Sequence, residues 1–400
     1  MKKIFKVLAI VALIGFSFAA CEEKDDPPPS PQTPVASDYT FGNMKQLVNV
    51  VEAVIITPKS GKSTGAVSNI KYAGNETVPQ TIGLYEVTFD VAAATGWNAA
   101  TNLSAGNLSV SGPFWTAVSN STFGSSTIRA ITYGNDKFIA GSYSGKMATS
   151  TDGVTWTAVS NSTFGSATIL AIAYANGKFV AVGSSGKMAT SPDGTTWTAV
   201  SNSTFDTSDA IYAIAYGNGK FVAGGDSGKM ATSPDGTTWT AVTNSTFGSV
   251  NRIYAIAYAN GKFVAGGDSG KMATSPDGTT WTAVTNSTFG SYIDAIVYGN
   301  DKFVAGGRSG KMATSPDGTT WTAISDSTFG TDYIEAIAYA NGKFVAVGGS
   351  NYISKMATSP DGTTWTAISN STFTDRIFAI AYGNGKFVAG GYGMAYSTGF

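Results

Sequence analysis

The apolar positions along this chain fall in the pattern of short β-strands. It is plainest at Tyr85, Val87, Phe89 and Val91, which face one way while Glu86, Thr88 and Asp90 face the other. Glu52–Thr57 and Asn102–Val110 read as further strands of the same module. Together they predict a small, immunoglobulin-like β-sandwich over residues 43–112, which we read as a spacer. Within it, Gly61-Lys62-Ser63 has the ending of a phosphate-binding loop. The Gly required five residues before Gly61 is Ile56, so a β-turn is the expectation.

From Gly112 onward the apolar runs recur in a fixed order of four. In one copy they are Ile169–Tyr174, Lys178–Gly183, Lys187–Ser191 and Thr195–Val200. Asn-Gly separates the first two, as at Asn176-Gly177, and suits a hairpin turn that needs positive φ at both central residues. Pro-Asp-Gly separates the last two, as at Pro192-Asp193-Gly194. There Pro presets φ, Asp can accept turn hydrogen bonds and Gly takes the left-handed position. Four strands joined by tight turns form an antiparallel meander. Trp115, Trp156, Trp197, Trp239, Trp281, Trp321 and Trp365 mark the repeat at spacings of 41, 41, 42, 42, 40 and 44. That period predicts β-propeller blades. A β-helix would need shorter coils and parallel strands.

The phase of the repeat predicts the blade number. The first-strand run occurs seven times, and the second-strand Phe seven times, from Phe138 to Phe387. The array opens on a lone fourth strand, Phe114–Val118, and ends on a third strand, Met394–Ser397, with none after it. Joining the two ends would give a seven-bladed β-propeller over residues 113–400, closed by its own N-terminal strand.

The stretch Ser-Pro-Asp-Gly-Thr-Thr-Trp occurs five times, beginning at Ser191, Ser233, Ser275, Ser315 and Ser359, with a sixth variant from Ser150. It resembles the Asp-box, or BNR repeat, of sialidase-type propellers, with a loop one residue shorter. The resemblance implies a structural role for Asp152, Asp193, Asp235, Asp277, Asp317 and Asp361, on the face away from any active site. The chemistry agrees, because Ser and Asp can bond turn amides while Trp fills space between blades.

Function is therefore sought where the copies differ. The Asn-Gly and Asp-box turns barely vary, and in a meander they share one face. The fourth-to-first crossings and second-to-third turns vary and lie on the other. The residue after each first-strand Ile varies most: Arg129, Leu170, Tyr212, Tyr254, Asp294, Glu335 and Phe378. All four arginines, Arg129, Arg252, Arg308 and Arg376, fall on this variable set, as does the only glutamate of the repeat region, Glu335. Tyr143, Tyr292, Tyr333, Tyr352 and Tyr392 join them. Such a mixture has the makeup of a recognition surface. Candidate ligand-binding residues are Arg129, Tyr212, Arg252, Tyr254, Asp294, Arg308, Glu335, Arg376 and Phe378.

The N-terminus changes where this surface would be displayed. Lys2, Lys3 and Lys6 precede an apolar run from Val7 to Ala20, too short to span a bilayer and followed by the only cysteine, Cys21. "FSFAAC" resembles a bacterial lipoprotein signal, which implies cleavage after residue 20 and lipidation of Cys21. Glu22, Glu23, Asp25 and Asp26 follow, a run resembling surface-export signals of some Gram-negative lineages. Pro-rich sequence completes an extended tether over residues 21–42. The expected location is the bacterial outer membrane, lipid-anchored, at the cell surface.

Composition narrows the chemistry. A net charge of −1 offers no surplus for nucleic acid. The absence of histidine removes His-dependent triads and His-ligated metals, and one cysteine allows no intrachain disulfide. No cofactor or metal is expected. The leading expectation is a non-enzymatic module binding a protein or carbohydrate ligand. One alternative is a sialidase-type hydrolase, which the resemblance implies would need three arginines on a carboxylate, a Tyr nucleophile with a Glu base, and an Asp acid. The arginines sit in different repeats, and nothing in the sequence places three together. The other alternative is an envelope assembly scaffold.

Overall fold

The computed structural model describes residues 29–47, 51–80, 83–111, 114–369 and 371–398. The signal segment, Cys21 and the acidic run lie outside the described residues. The chain divides between Ser111 and Gly112 into two compact units.

The first unit holds two sheets. Tyr39–Gly42 pairs antiparallel with Ile55–Pro58. The second sheet runs in the order Lys45–Leu47, Ala100–Ser111, Gly83–Val91, Val67–Tyr72, and its first pair is parallel. Alternation does its expected work here: Val87, Phe89 and Val91 are buried while Glu86 is exposed. Tyr39 meets Phe89 edge-on at 5.2 Å. The end of the stretch read as tether therefore supplies a strand and a core residue, because Tyr39 and Phe41 give the sheet an aromatic face. The loop at Gly61 is a turn, with the Lys62 amide donating to the Lys59 carbonyl at 3.1 Å.

The second unit contains seven four-stranded antiparallel sheets. Six take their strands consecutively, as in Ile169–Ala175, Lys178–Gly183, Met188–Ser191 and Thr198–Ala199. The remaining sheet takes Ile377–Gly383, Lys386–Gly391 and Met394–Thr398 from one end and Phe114–Ala117 from the other. In its register Ala395 faces Ala117 and Ser397 faces Trp115. Val388 and Met394 of that sheet share a core cluster with Phe138 and Trp156 of the first.

The turns follow their residue chemistry. Asn176 and Gly177 both take positive φ, 50° and 74°. In the Asp193 turn, Ser191 Oγ and the amides of Thr195 and Thr196 all donate to Asp193 Oδ1, at 3.0, 2.8 and 2.8 Å. These donors hold its carboxyl well below the usual range, the Thr196 amide contributing most. A Cβ on Gly194 would meet Ile139 Cδ1 of the preceding sheet at 2.4 Å, so the turn is pressed against its neighbour. Trp197 donates from Nε1 to the Gly194 carbonyl at 3.0 Å. Its ring packs with Phe179 of its own sheet and with Ile139 and Met147 of the preceding one. The repeated Trp and Phe thus weld sheet to sheet.

One feature gave no sequence signal. Every first strand carries a β-bulge at the same place, between Ile128 and Ala130 in the first sheet and between Ile377 and Ala379 in the last. The intervening residue loses its cross-strand partner, which frees its side chain to be re-aimed. In all seven sheets that residue is the most variable one: Arg129, Leu170, Tyr212, Tyr254, Asp294, Glu335 or Phe378.

Candidate functional site: an arginine–aromatic mouth

Three positions per repeat build the site. The first is the bulged residue. The second immediately precedes the first-strand Ile, and the third lies in the second-to-third turn. Backbone bonds tie the last two together, as from the Tyr143 amide to the Thr127 carbonyl at 3.0 Å and from Arg308 to Tyr292 at 3.2 Å. Residues far apart in sequence are thereby gathered around a cavity of about 190 Å³, whose lining includes Tyr212, Tyr254, Asp294 and Glu335.

The side chains form a nearly continuous stack. Tyr212 packs on Tyr254 at 5.0 Å between ring centroids, and Tyr254 on Tyr292 at 5.8 Å. The Arg308 guanidinium lies between Tyr292 and Tyr333, 3.6 and 5.4 Å from their centroids. Arg376 lies between Tyr333 and Phe378, at 4.4 and 5.1 Å. Arg129 lies between Phe378 and Tyr143, at 4.0 and 5.2 Å. Each of these three cations is bracketed by two rings. Cation–π attraction of this kind contributes roughly 0.5–2 kcal/mol per contact. Leu170 of the second sheet lies outside these ring contacts.

The ionic partners are unequal. Arg376 is hydrogen-bonded to Glu335. Arg252 Nε donates to Asp226 Oδ1 at 2.9 Å, and the Tyr212 hydroxyl donates to the same oxygen at 3.1 Å. Arg308 Nε stands 3.9 Å from Asp294 Oδ2, outside hydrogen-bond reach, and both atoms are buried without a hydrogen bond. Arg129 makes no ion pair within the described residues. Burial pushes the Asp294 carboxyl up to about 6, against the opposing pull of Arg308, Arg376 and Arg129. Burial lowers the pKa of Arg129 and Arg376, and raises the Tyr254 hydroxyl to about 12.

All nine candidate residues take part in these contacts, but not as one group. Arg129, Arg308 and Arg376 all act on Asp294, whereas Arg252 belongs with Asp226 and Tyr254. The expectation that nothing gathers three arginines is corrected: Arg129 at a bulge, Arg376 before a first-strand Ile and Arg308 in a second-to-third turn belong to three different sheets, yet all act on Asp294. Asp226 and Asp268 were missed, although both sit in the turn that carries Arg308 in another copy. The opposite turns contact one another instead, as Asn218 does with the Pro276 carbonyl at 3.2 Å. No group of three or more carboxylate, His or Cys side chains suited to a metal occurs among the described residues.

The fold and its repeat define a β-propeller repeat protein. The DUF6242 β-propeller domain family model matches residues 114–230 and again 192–299. Solved structures agree on the fold. YCF48 from Cyanidioschyzon merolae is 17% identical, with a TM-score of 0.54, covering 71% of this chain and 98% of its own. A structure described as YCF48 bound to D1 peptide is 16% identical, with a TM-score of 0.55 and coverages of 72% and 97%. A streptogramin B lyase is 11% identical, with a TM-score of 0.60 and coverages of 72% and 97%. No curated protein sequence matches the chain.

Proposed function

We propose that this chain is a surface-anchored lipoprotein whose propeller binds a protein or glycan partner, without catalysis, through the divergent face. The observation that carries this reading is the guanidinium–aromatic stack built from the three variable positions of the repeats. Aromatic and Arg side chains concentrate binding energy when desolvated, and stacking fixes them in advance of the partner. The YCF48 structure with D1 peptide gives a precedent for peptide binding by a similar fold. Seven blades closed through Phe114–Ala117, with the Asp-boxes beneath, would hold the mouth rigid. The first unit, an immunoglobulin-like spacer in this reading, and a lipid on Cys21 would carry it outward to the cell surface.

A photo-crosslinking residue at Tyr212 or Asn218 in the full-length lipoprotein tests the face assignment on intact cells. Adducts are expected from Tyr212 and not from Asn218, and equal yields from both would sink the assignment. The convergence of three arginines favours a second reading, sialidase-type hydrolysis with Glu335 as base. Turnover of a fluorogenic sialoside that Glu335→Gln abolishes would establish it. An envelope scaffold is the third reading, and protease shaving of intact cells separates it, since a periplasmic ring is shielded.

A further inference from the structure

We infer that the partner presents a carboxylate of an acidic peptide segment to Arg129, and that it enters in competition with the chain's own Asp294. This inference rests on the binding reading above. The mouth carries four arginines and, at Asp226, Asp268, Asp294 and Glu335, four carboxylates. Overall charge therefore attracts nothing, and the local pairing decides. Arg376 is committed to Glu335 and Arg252 to Asp226. Arg308 and Asp294 approach without closing a hydrogen bond. Arg129 is the cation left without an anion.

Its geometry selects the ligand. Its guanidinium carbon lies over the Phe378 and Tyr143 rings, 4.0 and 5.2 Å from their centroids, so its planar surface is engaged by π contacts. What remains is its edge, a planar fork of N–H donors that matches a carboxylate in two parallel hydrogen bonds. The same stacking argues for a peptide over a sugar acid. A sugar needs an open aromatic face, and the faces of Tyr254, Tyr292, Tyr333 and Phe378 are turned to one another or to arginines. Asp294 is the internal rival because its negative charge is shared by Arg308, Arg376 and Arg129. Removing that charge leaves Arg129 and Arg308 to an incoming carboxylate.

The test is fluorescence anisotropy with the full mature chain and labelled, C-terminally amidated hexaglutamate, against hexaglutamine. Saturable binding of hexaglutamate alone is expected. Arg129→Gln should weaken it about tenfold or more, the scale of a lost charge-assisted hydrogen bond. Arg129→Lys keeps the charge and loses the fork, so it should weaken binding almost as much. Asp294→Asn should tighten binding by about three- to tenfold, in keeping with removal of a competing charge. Melting curves confirm that each variant is folded, and Arg129→Lys serves if Arg129→Gln is not. Binding unaffected by both Arg129 variants, or no saturation by hexaglutamate, overturns the inference while leaving crosslinking at Tyr212 free to support the wider reading. Displacement of hexaglutamate by N-acetylneuraminic acid at submillimolar concentration would also overturn it, by assigning the carboxylate to a sugar.

Discussion

The two turn-bearing faces of the propeller use carboxylates in opposite ways. On the constant face, Asp193 and its counterparts each receive backbone amides and a Ser hydroxyl, which favour the charged form. On the divergent face, Asp294 is buried beside three arginines, none of which completes a hydrogen bond to its Oδ2. The first arrangement is closed: Asp193 Oδ1 takes three donors from within its own turn. The second is open and therefore less stable than it could be. Copies that only support the fold converge on the closed form, while a surface that must meet something else retains unfilled bonding capacity.

The contrast can be broken at several points. The largest effect is expected beneath both faces, at Phe221, which is fully buried. Phe221→Ala should cost about 3–5 kcal/mol in denaturant unfolding, as large-to-small core changes do. Asp193→Ala comes next, at about 1–3 kcal/mol, because two turn amides and a hydroxyl lose their acceptor. It should leave hexaglutamate binding unchanged, and a loss of binding would contradict the division between faces.

The pH dependence sharpens the same point. The carboxyls of the Pro-Asp-Gly turns are depressed, so their contribution is present above the ordinary carboxyl value and is lost as pH falls below it. Asp294 is raised, so its ionisation opposes folding, and that cost grows as pH rises from about 4 to above its value of about 6. Asp294→Asn should therefore melt higher than the parent at pH 8 and equally at about pH 2, well below the ordinary carboxyl value, where both states are protonated. A constant difference across that range would mean that Asp294 does not titrate as described. The smallest effect is expected at Arg252, whose side chain is half exposed. Arg252→Ala should change stability by only about 0–1 kcal/mol, the range of exposed ion pairs.

The repeat was legible because its signals are local. Trp spacing, Asn-Gly and Pro-Asp-Gly each report on a few adjacent residues whose turn chemistry allows little else. The variable face was legible for the same reason, since seven aligned copies expose what differs. Two things were not legible. The bulge contains neither Gly nor Pro and lies within Ile-x-Ala, an ordinary strand sequence, so only cross-strand register reveals it. The gathering of Arg129, Arg308 and Arg376 draws on a bulge, a turn and a crossing in three different sheets, a convergence that spacing along the chain does not encode. Tyr39 was hidden differently, by a Pro-rich neighbourhood that resembles a linker.

The outermost strands carry a consequence of their own. In five of the seven sheets the rim strand is only two residues long, as at Thr198–Ala199. Near-identical repeats invite one molecule to add its strands to another's, and a long free rim would template that addition. A rim this brief offers too few amides and carbonyls for a foreign strand to hold. At high concentration, many copies of this protein would thus stand side by side and remain separate.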